Sequence, residues 1–155
     1  MSSVSLLNPI CRGLVGYVSY LATCDMSTVY SEYLLYEPIA RIAKSQGYDV
    51  RCEVPVINMP KERGDYKRID FQFTKDNSTI VLEVKWSDKT TCPVTKDIEK
   101  LKAFASQNRF LIVFGRGKTI AGLKAKSNGR MLSPSGKMVG WNSGKTNYAA
   151  RWFKV

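Results

Sequence analysis

The sequence predicts an α/β protein, a mixed sheet flanked by helices, as one domain over residues 1–155. Three observations carry this. Segments 48–57, 68–73 and 79–86 alternate apolar and polar residues, the period of a strand with two unlike faces. Segments near 35–42 and 98–105 repeat apolar residues at helical spacing. The run Phe110-Leu-Ile-Val-Phe114 is wholly apolar, as in a strand covered on both sides.

Residues 4–22 are fairly apolar but interrupted by Asn8-Pro9 and Arg12, and their charge-free runs are too short to span a membrane. Asn8 as N-cap and Pro9 in the first turn predict a helix over 9–22. No basic segment precedes it, so no secretion signal is expected. A second helix is expected from about Ser27 to Gly47, with Leu35, Ile39 and Ile42 as its buried stripe, extended by Glu32. Glu37 falls with Arg41 and Lys44 on another, exposed face. Pro38 requires either a kink or a later helix start.

Tyr48 to Ile57 reads as a strand with Val50, Cys52, Val54 and Val56 on one side. A charged loop leads to Arg68-Ile-Asp-Phe-Gln-Phe73, with Ile69, Phe71 and Phe73 expected on one face and Asp70 and Gln72 on the other. Lys75-Asp-Asn-Ser78 is turn chemistry, so this strand should form a hairpin with Thr79–Trp86. Thr95 is placed to cap a helix running to about Ser106, with Ile98, Leu101 and Ala105 inward. Beyond Gly115, segments 131–132, 138–141 and 150–153 are possible short strands. The expected organisation is a core over about 27–115 and a basic C-terminal segment over 116–155.

Net charge is +11, and it is unevenly placed. Residues 100–155 carry 12 Lys and Arg and no Asp or Glu. Such a segment favours a polyanionic partner. Lys100, Lys118, Lys124, Lys126, Arg130, Lys137, Lys145 and Arg151 are its candidate phosphate contacts. Trp141, Tyr148, Trp152 and Phe153 either stack on bases or belong to the core. Gly115-Arg-Gly-Lys118 lacks the remaining spacing of a phosphate-binding loop.

Histidine is absent, which excludes Ser-His-Asp, Cys-His and His-metal chemistry. Any metal should be hard and oxygen-bound, Mg²⁺ or Mn²⁺. The four cysteines have no paired spacing, and a reducing, cytoplasmic setting is expected.

The segment Thr79–Trp86 puts Glu83 and Lys85 on one face, roughly 7 Å apart along the strand. With Asp70 on the neighbouring strand they form a polar island, and buried charge demands partners. Asp70 and Glu83 can supply carboxylate oxygens to a metal, and the Val84 carbonyl a third. Lys85 can orient an attacking water and stabilise charge on a phosphate.

Asp70, Glu83-Val84-Lys85 on the next strand, and Glu32 on a preceding helix resemble the PD-(D/E)XK nuclease superfamily, the restriction-endonuclease-like fold. The resemblance covers about residues 27–115, and Ile69 stands where the family often has proline. It implies an αβββαβ core, here with a basic C-terminal extension. It also implies Mg²⁺- or Mn²⁺-dependent hydrolysis of phosphodiester bonds, with catalytic residues Glu32, Asp70, Glu83 and Lys85. Glu32 would contribute a water-mediated or outer metal contact, and Glu37 replaces it if the helix phase differs. DNA is the expected substrate, and two strands of a duplex favour a homodimer.

Other readings remain open. Asp65-Tyr66-Lys67 is a competing acid-x-lysine triplet in a loop. Glu83 and Lys85 could be a solvated hairpin face, and Gln72 either approaches the site or faces solvent. The chain could be an RNase or toxin domain acting on structured RNA, or a non-catalytic nucleic-acid-binding protein. A membrane-surface role lacks an amphipathic helix.

Overall fold

Helix α1 spans Val4–Thr23, and α2, Tyr36–Ser45, follows a 3-10 turn over Glu32–Leu35. Strands β1 (Asp49–Pro55), β2 (Arg68–Lys75), β3 (Ser78–Ser87) and β4 (Thr91–Pro93) lead to helix α3 (Thr95–Ala103). Then come β5 (Asn108–Arg116), α4 (Gly117–Ala121), β6 (Lys124–Ser127), β7 (Arg130–Met131), β8 (Val139–Ser143) and β9 (Thr146–Lys154). The computed structural model describes residues 4–26, 32–143 and 146–155, without the side chains of residues 4, 32, 141–143 and 146.

The architecture is mixed α/β. Six strands form the main sheet in the order β1-β2-β3-β5-β9-β8, and β4-β6-β7 form a small second one. Among the described residues only β3 and β5 run parallel within the main sheet, and α3 lies in their crossover. The basic segment is no extension, because β9 lies inside the main sheet between β5 and β8. The possible strands at 131–132, 138–141 and 150–153 correspond to parts of β7, β8 and β9.

Two apolar layers enclose the sheet. Phe71, Phe73, Ile80, Leu82, Val84, Phe110, Ile112 and Trp152 pack against α1 and α2. Val81, Leu111, Val113, Ala149 and Phe153 pack on the other side with Ile98, Leu101 and Ile120 of α3 and α4. Strand β5 is therefore covered on both faces, as its unbroken apolar run requires.

Helix α1 starts five residues before the expected boundary, so Asn8 does not cap it and Pro9 lies inside. Asn8 Oδ1 instead accepts a hydrogen bond from Trp152 Nε1 at 3.2 Å. A proline in a helix costs roughly 3 kcal/mol. Leu6, Leu7, Ile10, Cys11, Leu14 and Val18 are buried along the helix. Each such aliphatic side chain contributes about 1.5–3 kcal/mol, so burial wins.

Helix α2 begins at Tyr36, which resolves the difficulty of Pro38. It falls in the first turn, where its missing N–H would have no helical partner anyway. The stripe Leu35, Ile39 and Ile42 packs inward, and Gly47 follows the helix with φ +81°. Residues 27–31, expected as helix, lie outside the described residues. Helix α3 stops at Ala103, leaving Ala105 exposed rather than inward. Thr95 opens this helix instead of capping it, and its hydroxyl accepts the Asn128 N–H at 3.0 Å. The β2–β3 turn places Asp76 and Asn77 at φ 48° and 61°, the left-handed pair that suits a two-residue hairpin.

The alternation expected in β1 and β2 breaks at one position. Val50 packs on the α1/α2 side but Val56 on the α3 side. Likewise Phe71 and Phe73 face α1 and α2, while Ile69 joins the α3 side. Both strands change face between the pairs Cys52–Phe71 and Val54–Ile69. Glu53 and Asp70 stand opposite each other at that change, and Glu53 holds φ 53°, a left-handed conformation. Among the described residues, no helix is long and apolar enough to cross a membrane.

Candidate active site

The β2–β3 ladder ends at Phe71–Leu82, so Asp70 and Glu83 face each other just beyond the last paired residues. Relieved of strand pairing there, the Val84 N–H donates to Asp70 Oδ2 at 2.8 Å. The Tyr36 hydroxyl stands 3.0 Å from Asp70 Oδ1 and also bonds Glu53 Oε1. A phenol has one proton, so it donates to one carboxylate at a time. Burial first, then the bond to Glu53 and the charge of Asp70, push the Tyr36 phenol well up and keep that proton in place.

Glu83 and Lys85 share the α3 face, as their spacing predicts. Glu83 is buried, and its Oε2 accepts from Lys100 Nζ of α3 at 2.6 Å. Its Oε1 is also buried and has no hydrogen-bond partner among the described residues. Burial, and then the nearby Asp70 charge, push the Glu83 carboxyl up to about 8, partly opposed by Lys100. Lys100 shifts upward as well: burial pulls its ammonium down, but Glu83 more than offsets that. The two directions differ in meaning, since one favours a neutral acid and the other a charged amine. The 2.6 Å contact and the second bond of Lys100, to the Arg68 carbonyl at 3.1 Å, hold the amine charged, so its bond to Glu83 is charge-assisted. Lys85 Nζ lies 2.9 Å from Asp97 Oδ2, three residues before Lys100 on the same helix.

Asp70, Glu83, Val84, Lys85 and Lys100 are thus brought together, Lys100 as the partner of Glu83. Glu32 opens the 3-10 turn, and its side chain lies outside the described residues. Glu37 is exposed and pairs with Arg41 at 2.7 Å, as a solvated face predicts. In the competing triplet, Asp65 sits 3.4 Å from Arg68 and Lys67 3.8 Å from Glu62, both at the surface loop. Gln72 is half-buried.

The basic residues divide by position. Lys124, Lys126 and Arg130 are exposed on β6 and β7, whose turn abuts the start of α3. Arg151 is level with Val113, which is level with Lys85, so it lies two strands away, roughly 10 Å, on the site's face. Its Nε is buried without a hydrogen-bond partner among the described residues. Lys118 is exposed on α4. Lys137 borders a groove with Arg12 and Trp152 on the opposite face, away from Glu83. Lys145 lies outside the described residues. Tyr148, Trp152 and Phe153 are buried in the core, which removes them as base-stacking platforms. The side chain of Trp141 lies outside the described residues.

Sequence reasoning missed Tyr36, Glu53 and Asp97. The last had a signal: with Ile98 and Leu101 inward, helical period puts Asp97 and Lys100 together on the flank of that stripe. Tyr36 lay one turn before the buried Ile39, and nothing marked its hydroxyl. Glu53 looked like any polar residue on a strand's outer face.

Among the described residues, no three Asp, Glu, Cys or His side chains gather closely enough to hold a metal ion. The donor set nonetheless suits a hard cation, with two facing carboxylates and one buried carboxylate oxygen lacking a partner.

No family model, curated protein or solved structure matches this chain. The site stands on its own chemistry.

Proposed function

We propose that the chain is a Mg²⁺- or Mn²⁺-dependent nuclease of the restriction-endonuclease-like fold, hydrolysing phosphodiester bonds, in DNA by preference. The observation that carries this is Glu83. A carboxylate is buried beside a second carboxylate with one oxygen unpartnered, on the face that also bears Lys85. Protein interiors leave such an oxygen orphaned at a cost of about 1–3 kcal/mol, and a functional ligand is the economical reason.

Asp70, Glu83 and the Val84 carbonyl would hold the cation. When bound, it would supply Lewis acidity, lowering the pKa of a water and neutralising charge on the phosphate. The chain's own residues do the rest. The Val84 N–H fixes Asp70 Oδ2, and the Tyr36 phenol, shared with Glu53, stands 3.0 Å from Oδ1. Lys85 presents an ammonium to orient water and to meet charge developing on a phosphate oxygen. Lys124, Lys126 and Arg130 attract the polyanion regardless of sequence. Two copies would match the two strands of a duplex. The four cysteines form no disulfide with one another, which suits a reducing compartment such as the cytoplasm.

Plasmid cleavage with Mg²⁺ or Mn²⁺ tests this, with single-stranded DNA and tRNA run alongside. Asp70→Asn and Lys85→Ala should each lose about 10²–10³-fold in rate. Equal activity in wild type and both variants would end the assignment, and preference for tRNA would make the substrate RNA. A second reading has its own support: the ion pairs Lys85–Asp97 and Lys100–Glu83 close on themselves. A non-catalytic nucleic-acid-binding protein would show salt-sensitive binding that persists in EDTA, without cleavage products.

A further inference from the structure

Helix α3 meets the site with two opposite charges one turn apart. Asp97 reaches Lys85 at 2.9 Å and Lys100 reaches Glu83 at 2.6 Å, so the helix's acid–base order answers the strand's in reverse. The second contact is the more sheltered, with Glu83 only 4% and Lys100 18% exposed at the side chain. The helix is also fixed. Ile98 and Leu101, each next in sequence to a pairing residue, are buried beneath it. Its start is tied to the small sheet by the Val94 N–H on the Lys126 carbonyl and the Asn128 N–H on Thr95. The second bond of Lys100, to the Arg68 carbonyl, anchors its ammonium independently of Glu83.

Lys100 engages one oxygen of Glu83 and leaves the other, Oε1, with no partner among the described residues. A structural ion pair would gain by satisfying both oxygens. Holding one oxygen from behind and freeing the other is the arrangement by which an outer partner orients a metal ligand.

Resting on the nuclease reading above, we propose that α3 is a clamp. Lys100 aims Glu83 Oε1 into the site, and Asp97 holds the Lys85 ammonium beside it. Both are positioning residues that act through the strand's own groups.

Calorimetric Mn²⁺ titration and single-turnover cleavage of the same proteins separate the two roles. Lys100→Met should weaken Mn²⁺ binding about tenfold, and Lys100→Arg should restore most of it. Asp97→Ala should leave Mn²⁺ affinity within about threefold but lower the cleavage rate 10–100-fold, with Asp97→Asn between it and wild type. Thermal melts show whether each variant is folded. Should Lys100→Met fail to fold, wild type labelled with ¹⁵N-lysine gives the answer: the Lys100 ammonium signal must stay protected from solvent when Mg²⁺ is added. Release of that signal, or Mn²⁺ binding by Lys100→Met as tight as wild type, would show a lysine that the cation displaces or ignores, and would overturn the clamp. Wild-type cleavage rates in Asp97→Ala would overturn its second half. Wild type that neither binds Mn²⁺ nor cuts ends the nuclease reading itself, and the clamp with it.

Discussion

Strand β3 shows two different interiors. Toward α1 and α2 it sends Ile80, Leu82 and Val84 into a layer built on Phe71, Phe73, Phe110 and Ile112. Toward α3 it sends Val81, Glu83 and Lys85, and there the apolar cluster is interrupted by paired charges. The same backbone thus carries a face that is paid for by burial and a face that must be balanced by electrostatics. The first needs only shape and apolarity, so many sequences could supply it. The second needs particular groups at particular positions, and it is where chemistry is available.

The contrast is sharpest in stability. Phe71→Ala on the apolar face should lose about 3–5 kcal/mol in urea unfolding, through lost burial and a residual cavity. Lys85→Ala on the other face should lose about 1 kcal/mol or less, since its pair with Asp97 is partly solvated. Losses of similar size would mean that the charged face is a packing element like the other.

A pH titration gives the next largest effect. Glu83 is raised from 4.5 to about 8 by burial and then by Asp70 of β2, with Lys100 of α3 opposing and Asp97 of α3 adding slightly. Lys85 lies on the same strand. Between those values the folded chain holds a proton that the unfolded chain has released. Metal-free stability should therefore fall as pH rises from about 4.5 through 8, and Glu83→Gln should flatten that slope in urea unfolding. An unchanged slope would place the proton elsewhere.

The smallest effect belongs to neither face. The Glu37–Arg41 pair is solvent-exposed on α2, so Glu37→Gln should change the melting free energy by under about 0.5 kcal/mol and leave cleavage intact. Loss of activity there would restore Glu37 as a site residue.

Most of the polar island was legible because a strand's period is rigid: Glu83 and Lys85 could share a face only if nothing interrupted β3, and nothing does. The hairpin was legible from Asp76-Asn77, residues that tolerate left-handed backbone. Phasing failed in β1 and β2 because Glu53 adopts that same backbone without a glycine to announce it. That switch sends Ile69 to one layer and Phe71 to the other, leaving Asp70 between them. Asp97 and Lys100 were half legible, since helical period gave their flank but not the strand they meet. The place of β9 was not legible, because strand order depends on contacts between distant segments.

The bond from Trp152 to Asn8 joins residues 144 positions apart, and the strand bearing Trp152 lies inside the sheet. Closing so long a loop is entropically costly before its contacts repay it. During synthesis, β5 has only β3 beside it until β9 emerges, so the sheet is completed late. A ribosome-bound chain lacking β9 would expose one edge of β5 and leave α1 without part of its seat. Arg151 of the site's face would be missing as well. The order of synthesis thereby delays assembly of the full charged face until β9 has been made.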